Sequence, residues 1–245
     1  MRKTDINYWE NIWKQKNIDM LDENEPLNKF IINYLKKIPA ENKKIIEAGC
    51  ANSRWVKFLT ENGFEVSGID YSEEGIKNLK IYCDKNRIKC NLYLKDIFDD
   101  IPFLKEKFDV LISFGLVEHF EDYSEVIQKL SCFLKKDGII ITVIPNLKNS
   151  IYYKIQKLSE KNILKKHVMI NLKDLENAHS SCFEKINCAY AGKINFFITN
   201  FGSKKNLSIK IIRFIFYILN KIFSKIITRE SSFYSQSIVY IGRKK

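Results

Sequence analysis

Six acidic and imidazole side chains stand where this sequence could do chemistry: Glu47, Asp70, Asp96, Glu118, His119 and His167. Glu47 follows the apolar pair Ile45-Ile46 and opens the loop Ala48-Gly49-Cys50-Ala51-Asn52-Ser53-Arg54, small residues around a glycine free to adopt φ > 0. A helix then begins at Trp55-Val56-Lys57-Phe58-Leu59, so a strand end, a tight loop and a helix N-terminus form a shelf for a ligand. Asp70 closes the next apolar run, 21 residues after Gly49, the separation at which a strand-end carboxylate can meet a ribose diol. Asp96 follows a third run and is either an acceptor for an adenine amino group or a helix N-cap. His119 and, further on, His167 are the candidate general bases. Glu118 and His119 make two ligands without a third, so no metal is expected.

A dinucleotide fingerprint would need glycine at positions 51 and 54, where the chain has Ala51 and Arg54, so close passage of a pyrophosphate is disfavoured. Glu47-Ala48-Gly49-Cys50-Ala51-Asn52-Ser53 instead resembles the first motif of the class I S-adenosylmethionine-dependent methyltransferases, an acidic residue, any residue, then G-x-G-x-G, with Ala51 and Ser53 replacing two glycines. Phe108-Asp109-Val110-Leu111-Ile112-Ser113 running into Phe114-Gly115-Leu116-Val117-Glu118-His119 resembles the fourth strand and Glu-His segment of members acting on small molecules. A related metal-dependent pattern, Glu-x-x-Glu-His, lacks its first Glu because Gly115 stands there. The resemblance covers residues 5 to 145. It implies S-adenosylmethionine as cofactor, with Trp13, Glu47, Gly49, Cys50, Ala51, Arg54, Asp70, Tyr71, Asp96, Ile97 and Phe114 around it. Asp70 would meet the ribose hydroxyls, Asp96 adenine, Gly49 and Ala51 would open backbone access to the methionine part, and Phe114 would be a wall.

The elements that must position these residues alternate. Strands are expected to end at Glu47, Asp70, Leu94, Ser113 and Pro145, and an antiparallel one runs over Ser237–Arg243. Helices are expected at Asn7–Trp13, Pro26–Lys37, from Trp55, from Ser72 with Glu73 and Glu74 in its first turn, over Asn149–Asn162, over Leu172–Ser181, and over 207–227. The turn Lys135-Lys136-Asp137-Gly138 should precede the fifth strand, and a further strand should start at Ile186. Alternation implies a mostly parallel sheet with helices on both faces. The fold class is α/β, a Rossmann-like seven-stranded methyltransferase sheet with an N-terminal helical lid and a C-terminal amphipathic helix inserted before the last strand. One domain is expected over 1–245, with a lid (1–40), a cofactor-binding half (41–146) and a substrate-side half (147–245). Its ligand should sit outside the strand carboxyl ends, where Glu47, Asp70, Asp96 and Phe114 converge.

The 245 residues suffice for a core of this kind. Six cysteines without C-x-x-C spacing read as reduced thiols, and Met1–Asn7 has no apolar core of signal-peptide type, which together suggest a cytoplasmic protein. The formal net charge of +12 is uneven: from Leu147 onward there are 19 Lys and Arg against 5 Asp and Glu, while residues 1–146 are slightly acidic. Such a half suits an anionic partner. Within it, the 207–227 helix places Lys210, Arg213, Tyr217, Asn220, Lys221, Ser224 and Lys225 on one side. Ile211, Ile212, Ile215, Phe216, Ile218, Leu219, Ile222, Phe223 and Ile226 fall on the other. Four cations argue against a membrane span. Two readings stay open, a packed cap and a helix lying peripherally on the inner face of a membrane. The expected activity is methyl transfer to an oxygen or nitrogen of a small molecule, a sugar, glycan precursor or lipid-linked acceptor, anionic in one version. The alternatives are an RNA methyltransferase, disfavoured because no Asn/Asp-Pro-Pro-Tyr motif follows the fourth strand, and a membrane-associated cofactor-binding protein without catalysis.

Overall fold

A computed structural model describes residues 1–14, 17–39, 43–148, 150–159, 161–193, 207–227 and 229–245. The expected boundary at 40/41, the helix start at Asn149 and the side chains of Lys210, Arg213, Ser224 and Lys225 lie outside the described residues. In chain order the elements are α1 (Ile6–Trp13), α2 (Pro26–Leu35), β1 (Lys44–Ala48), α3 (Trp55–Glu61), β2 (Glu65–Asp70), α4 (Glu73–Lys85), β3 (Cys90–Leu94), β4 (Phe108–Phe114), α5 (Tyr123–Ser131), β5 (Leu134–Pro145), α6 (Ile151–Ser159), α7 (Lys161–Leu164), α8 (Leu172–His179), β6 (Phe183–Ala191), α9 (Leu207–Ile226) and β7 (Ser237–Lys244).

The seven strands form one sheet in the order β3-β2-β1-β4-β5-β7-β6. Strands β1 to β5 pair in parallel, and β7 runs antiparallel to both β5 and β6. Apolar residues on successive positions explain why the middle of the sheet is covered on both faces. Ile45, Val110, Ile112 and Ile141 join the core beneath α2, α3 and α4, whereas their neighbours Ile46, Leu111 and Ile140 join the core beneath α5 and α8. After β3 the chain returns past β1 to start β4 on its other side. That switch opens a crevice at the carboxyl ends of β1 and β4, whose register pairs Ala48 with Ser113.

Local chemistry sets the helix starts. Ser72 Oγ accepts from the Gly75 amide at 3.1 Å, and Glu73 and Glu74 occupy the first turn of α4. Asn171 and Asp174 form a capping box on α8. Three expectations need correction. Lys135–Gly138 is a bulge inside β5 and not a turn before it: Phe108 pairs with Leu134 but Val110 with Ile139, and Asp137 takes φ +62°. β6 begins at Phe183, earlier than Ile186, because its pairing with β7 runs the full edge. Asp96 caps a short turn, not a helix, its Oδ1 accepting from the Phe98 amide at 3.0 Å.

Candidate active site

Ser53, one of the residues standing where a glycine was expected, holds the loop after β1 together. Its hydroxyl donates to the Glu47 carboxyl and accepts from the Trp55 and Val56 amides at 3.1 and 3.2 Å, so one side chain ties the strand end to the first turn of α3. Ala51 is accommodated from below. A Cβ on Gly75 of α4 would stand 2.3 Å from the Ala51 Cβ, so the methyl gained in the loop occupies space that a glycine leaves in the helix. Gly49 takes φ +78°, the left-handed region open to glycine, with Leu116 packed on its open side.

Asp70 binds the same loop. One carboxylate oxygen accepts from the Ala51 amide at 3.0 Å and the other from the Ser72 amide at 2.9 Å. The Gly49 and Cys50 amides donate to the Ile69 carbonyl at 2.9 and 3.3 Å. The amides of Gly49 and Ala51 are thus committed inside the loop, which differs from the expectation that they would face a ligand. Burial pushes the Asp70 carboxyl up to about 6 against those amide bonds, and pushes Glu47 up to about 8, with Asp70 nearby adding to the rise.

The crevice is a cavity of about 340 Å³, within the range of small-ligand sites. Ten of the residues singled out from sequence line it: Trp13, Glu47, Gly49, Arg54, Asp70, Tyr71, Asp96, Ile97, Phe114 and His119. Phe114 stacks on Trp55 with ring centroids 5.0 Å apart. Two of the residues placed around the ligand do not line it. Cys50 is fully buried with its thiol toward Gly68 and Leu92 on the sheet, and Ala51 faces Gly75.

Within the N-terminal segment expected as a lid, only Trp13 was placed at the ligand, whereas Arg2, Thr4 and Trp9 line the cavity as well. Backbone bonds from Lys3 to His119 and from Glu121 to Met1 lay the first residues along Phe120. This carries the Arg2 guanidinium to the Asp96 carboxylate and to 4.6 Å from the centre of the Tyr71 ring. α1 then adds two lining residues: Trp9 stacks on Trp13 at 5.5 Å and meets His119 edge-on at 5.0 Å. The Glu10 carboxylate reaches the start of α4, accepting from the Glu73 and Glu74 amides at 2.8 and 3.1 Å. The i,i+4 Trp pair was the sequence signal for α1; nothing local marks Arg2, whose partner is 94 residues away.

Glu118, His119 and His167 come together beside the cavity; His119 lines it, and Glu118 and His167 do not. The imidazole Nδ1 of His119 lies 2.8 Å from the Lys166 carbonyl, and that of His167 lies 2.8 Å from the Ile163 carbonyl. A carbonyl only accepts, so each Nδ1 carries the proton and each Nε2 keeps its lone pair. Burial, with His167 beside it, lowers His119 to about 4; burial lowers His167 as well. Glu118 is buried with one carboxyl oxygen lacking a hydrogen-bond partner, and its acid is pushed up to about 8. One ligand atom from each of the three lies within 4.8 Å of the others. The reasoning that Glu118 and His119 have no third partner is therefore corrected: the fold brings His167 from after α7. A carboxylate and two imidazoles can relay a proton or hold a divalent cation.

A family model described as "Methyltransferase domain" matches residues 39–208. The ubiquinone biosynthesis O-methyltransferase of Pelagibacter ubique (strain HTCC1062) is 32% identical over 116 residues, 46% of this chain and 48% of that protein. The enzyme of that name from Rickettsia bellii (strain OSU 85-389) is 31% identical over 121 residues, 47% and 50% of the two chains. The chain thus spans about half the length of the curated relatives it matches. In fold it is similar to a SAM-dependent methyltransferase from Archaeoglobus fulgidus, with TM-score 0.60, 17% identity, and 88% of this chain and 92% of that one covered. It is also similar to a putative sarcosine dimethylglycine methyltransferase from Galdieria sulphuraria, with TM-score 0.66, 13% identity and 97% of each chain covered.

Proposed function

Since this chain belongs to the class I S-adenosylmethionine-dependent methyltransferases, we propose that it transfers the cofactor's methyl group to a hydroxyl oxygen of a small molecule. The observation that carries the reading is the convergence of Glu47, Asp70, Asp96 and Phe114 on one cavity that His119 also lines.

The lining suits the cofactor. The lining carries four acidic side chains, Asp19, Glu47, Asp70 and Asp96, against Arg2, Arg54 and Lys95, and with the stacked Phe114–Trp55 wall this balance favours a nucleoside bearing positive charge. When bound, S-adenosylmethionine supplies an electrophilic methyl on a sulfonium. Asp70 has lone pairs left on both oxygens for ribose hydroxyls after accepting the two amides. Tyr71 and Asp96, with Arg2 against them, form the adenine end. A cation brought near Glu47 lowers its pKa and makes it a counter-charge.

His119 supports an oxygen acceptor. A hydroxyl that has gained a methyl while keeping its proton is a strong acid, so a base near 4 takes that proton at Nε2 downhill. Positioning by the cavity can supply roughly 7–11 kcal/mol, and a general base about 10²–10⁴-fold in rate. The names of the relatives also favour oxygen over nitrogen. Within the hydroxyl class, the sugar, glycan-precursor and lipid-linked acceptors expected from sequence compete with phenols, and the basic second half favours an anionic one.

The test is calorimetric titration of the folded protein with S-adenosylmethionine, followed by turnover of isotopically labelled cofactor with phenols, free sugars and phosphorylated sugars. Label should enter a hydroxyl. His119→Gln should lower kcat by about 10²-fold while leaving cofactor affinity unchanged. Folded protein that does not bind the cofactor, or label confined to nitrogen or RNA, would overturn the proposal.

A further inference from the structure

Helix α9 uses only part of its apolar surface to pack. Phe216, Leu219, Asn220 and Phe223 are half-buried and lie on one side of the helix. Ile211, Phe214, Ile215, Ile218, Ile222 and Ile226 are 41% to 68% exposed, and on the α-helical repeat they share an arc of about 120° beside it, with Ile212 and Tyr217, 37% and 55% exposed, outside that arc. A water-facing strip of five isoleucines and a phenylalanine is unusual in a soluble domain. Each such side chain gains by leaving water.

The charge of the helix selects what covers this strip. In sequence α9 carries Lys210, Arg213, Lys221 and Lys225 and no acidic residue, and the whole segment from Leu147 is strongly basic. A second copy of the chain, docked strip to strip, would set two strongly basic segments against each other. An anionic lipid surface takes up the apolar strip without needing a complementary shape and attracts the basic segment. No helix among the described residues is long and apolar enough to cross a membrane, which leaves α9 lying in the interface plane.

We infer that α9 is a membrane-docking helix that seats the protein on an anionic bilayer through Ile211, Phe214, Ile215, Ile218, Ile222 and Ile226. This rests on α9 alone and is independent of the methyl-transfer reading.

The test is flotation of the full chain with vesicles of phosphatidylglycerol and phosphatidylcholine, and of phosphatidylcholine alone, at low and high salt. The protein should float with the anionic vesicles and be released by salt. The double variant Ile218→Asp, Ile222→Asp should partition at least about tenfold more weakly, with thermal midpoint and S-adenosylmethionine affinity unchanged. Those two controls separate a docking defect from a folding or cofactor defect. Wild-type protein left behind by anionic vesicles, equal flotation with neutral ones, or a stable wild-type dimer that the double variant converts to monomer would each overturn the inference.

Discussion

Asp70 ties together the loops that follow β1 and β2, since its two oxygens accept the Ala51 and Ser72 amides. Replacing it by Ala removes those charge-assisted bonds together with the proposed ribose acceptor. S-adenosylmethionine affinity should fall about 10- to 100-fold by calorimetry, and an unchanged affinity would remove Asp70 from the site. The position of this carboxylate was legible in the sequence because a strand end and a residue count place it. Its hydrogen bonds were not, because they depend on how the next loop folds back. Ser53 makes the same point: read as a small residue, it is also the hydroxyl that joins Glu47 to α3.

The element scale explains how a loop with two of its three glycines replaced keeps its path. α4 offers Gly75 under Ala51, so the two positions are packed as a pair. Gly75→Ala should destabilise by about 1–3 kcal/mol through overpacking, measured by urea denaturation. Ala51→Gly in that background should restore much of the loss, giving a coupling of about 1 kcal/mol or more in the double-mutant cycle; additive effects would show that the helix and loop do not share this space. The seat of α1 is likewise an arrangement between elements. α1 reads from its Trp pair, but its seat on α4 comes from Glu10 capping a helix 63 residues away. α9 was legible as amphipathic, while which of its apolar residues stay exposed was not.

Taken whole, the molecule keeps several titratable groups from ionising freely, and their signs can be worked out. Glu47 and Glu118 are raised by burial from the ordinary glutamate value to about 8, so the folded state holds protons that the unfolded chain releases. Their stabilisation is complete below about pH 4.5 and is lost as pH rises toward 8. His119 and His179, lowered to about 4, act oppositely, and stability gains from them only between about pH 4 and 6.5. Between pH 6.5 and 8 the acids therefore dominate, and ligand-free protein should lose stability at up to about 1.4 kcal/mol per pH unit for each acid. Glu47→Gln should flatten that decline in denaturation curves taken across this window. An unchanged slope would mean that Glu47 is ionised in the folded protein.

Period and spacing in the chain were enough for the frame of the molecule. Alternating apolar runs and helix starts specify the sheet, and carboxylates at the ends of β1 and β2 and just beyond β3 must meet at one edge once those strands run parallel. Ten of the named residues share the cavity for that reason. The tertiary structure alone decided the pairings between distant segments: Arg2 with Asp96, Glu10 with α4, Gly75 with Ala51, and His167 with Glu118 and His119. Each joins side chains whose own local pattern is satisfied without the other. They meet because burying the two faces of the sheet brings their elements together, and no local rule of period or propensity encodes that meeting.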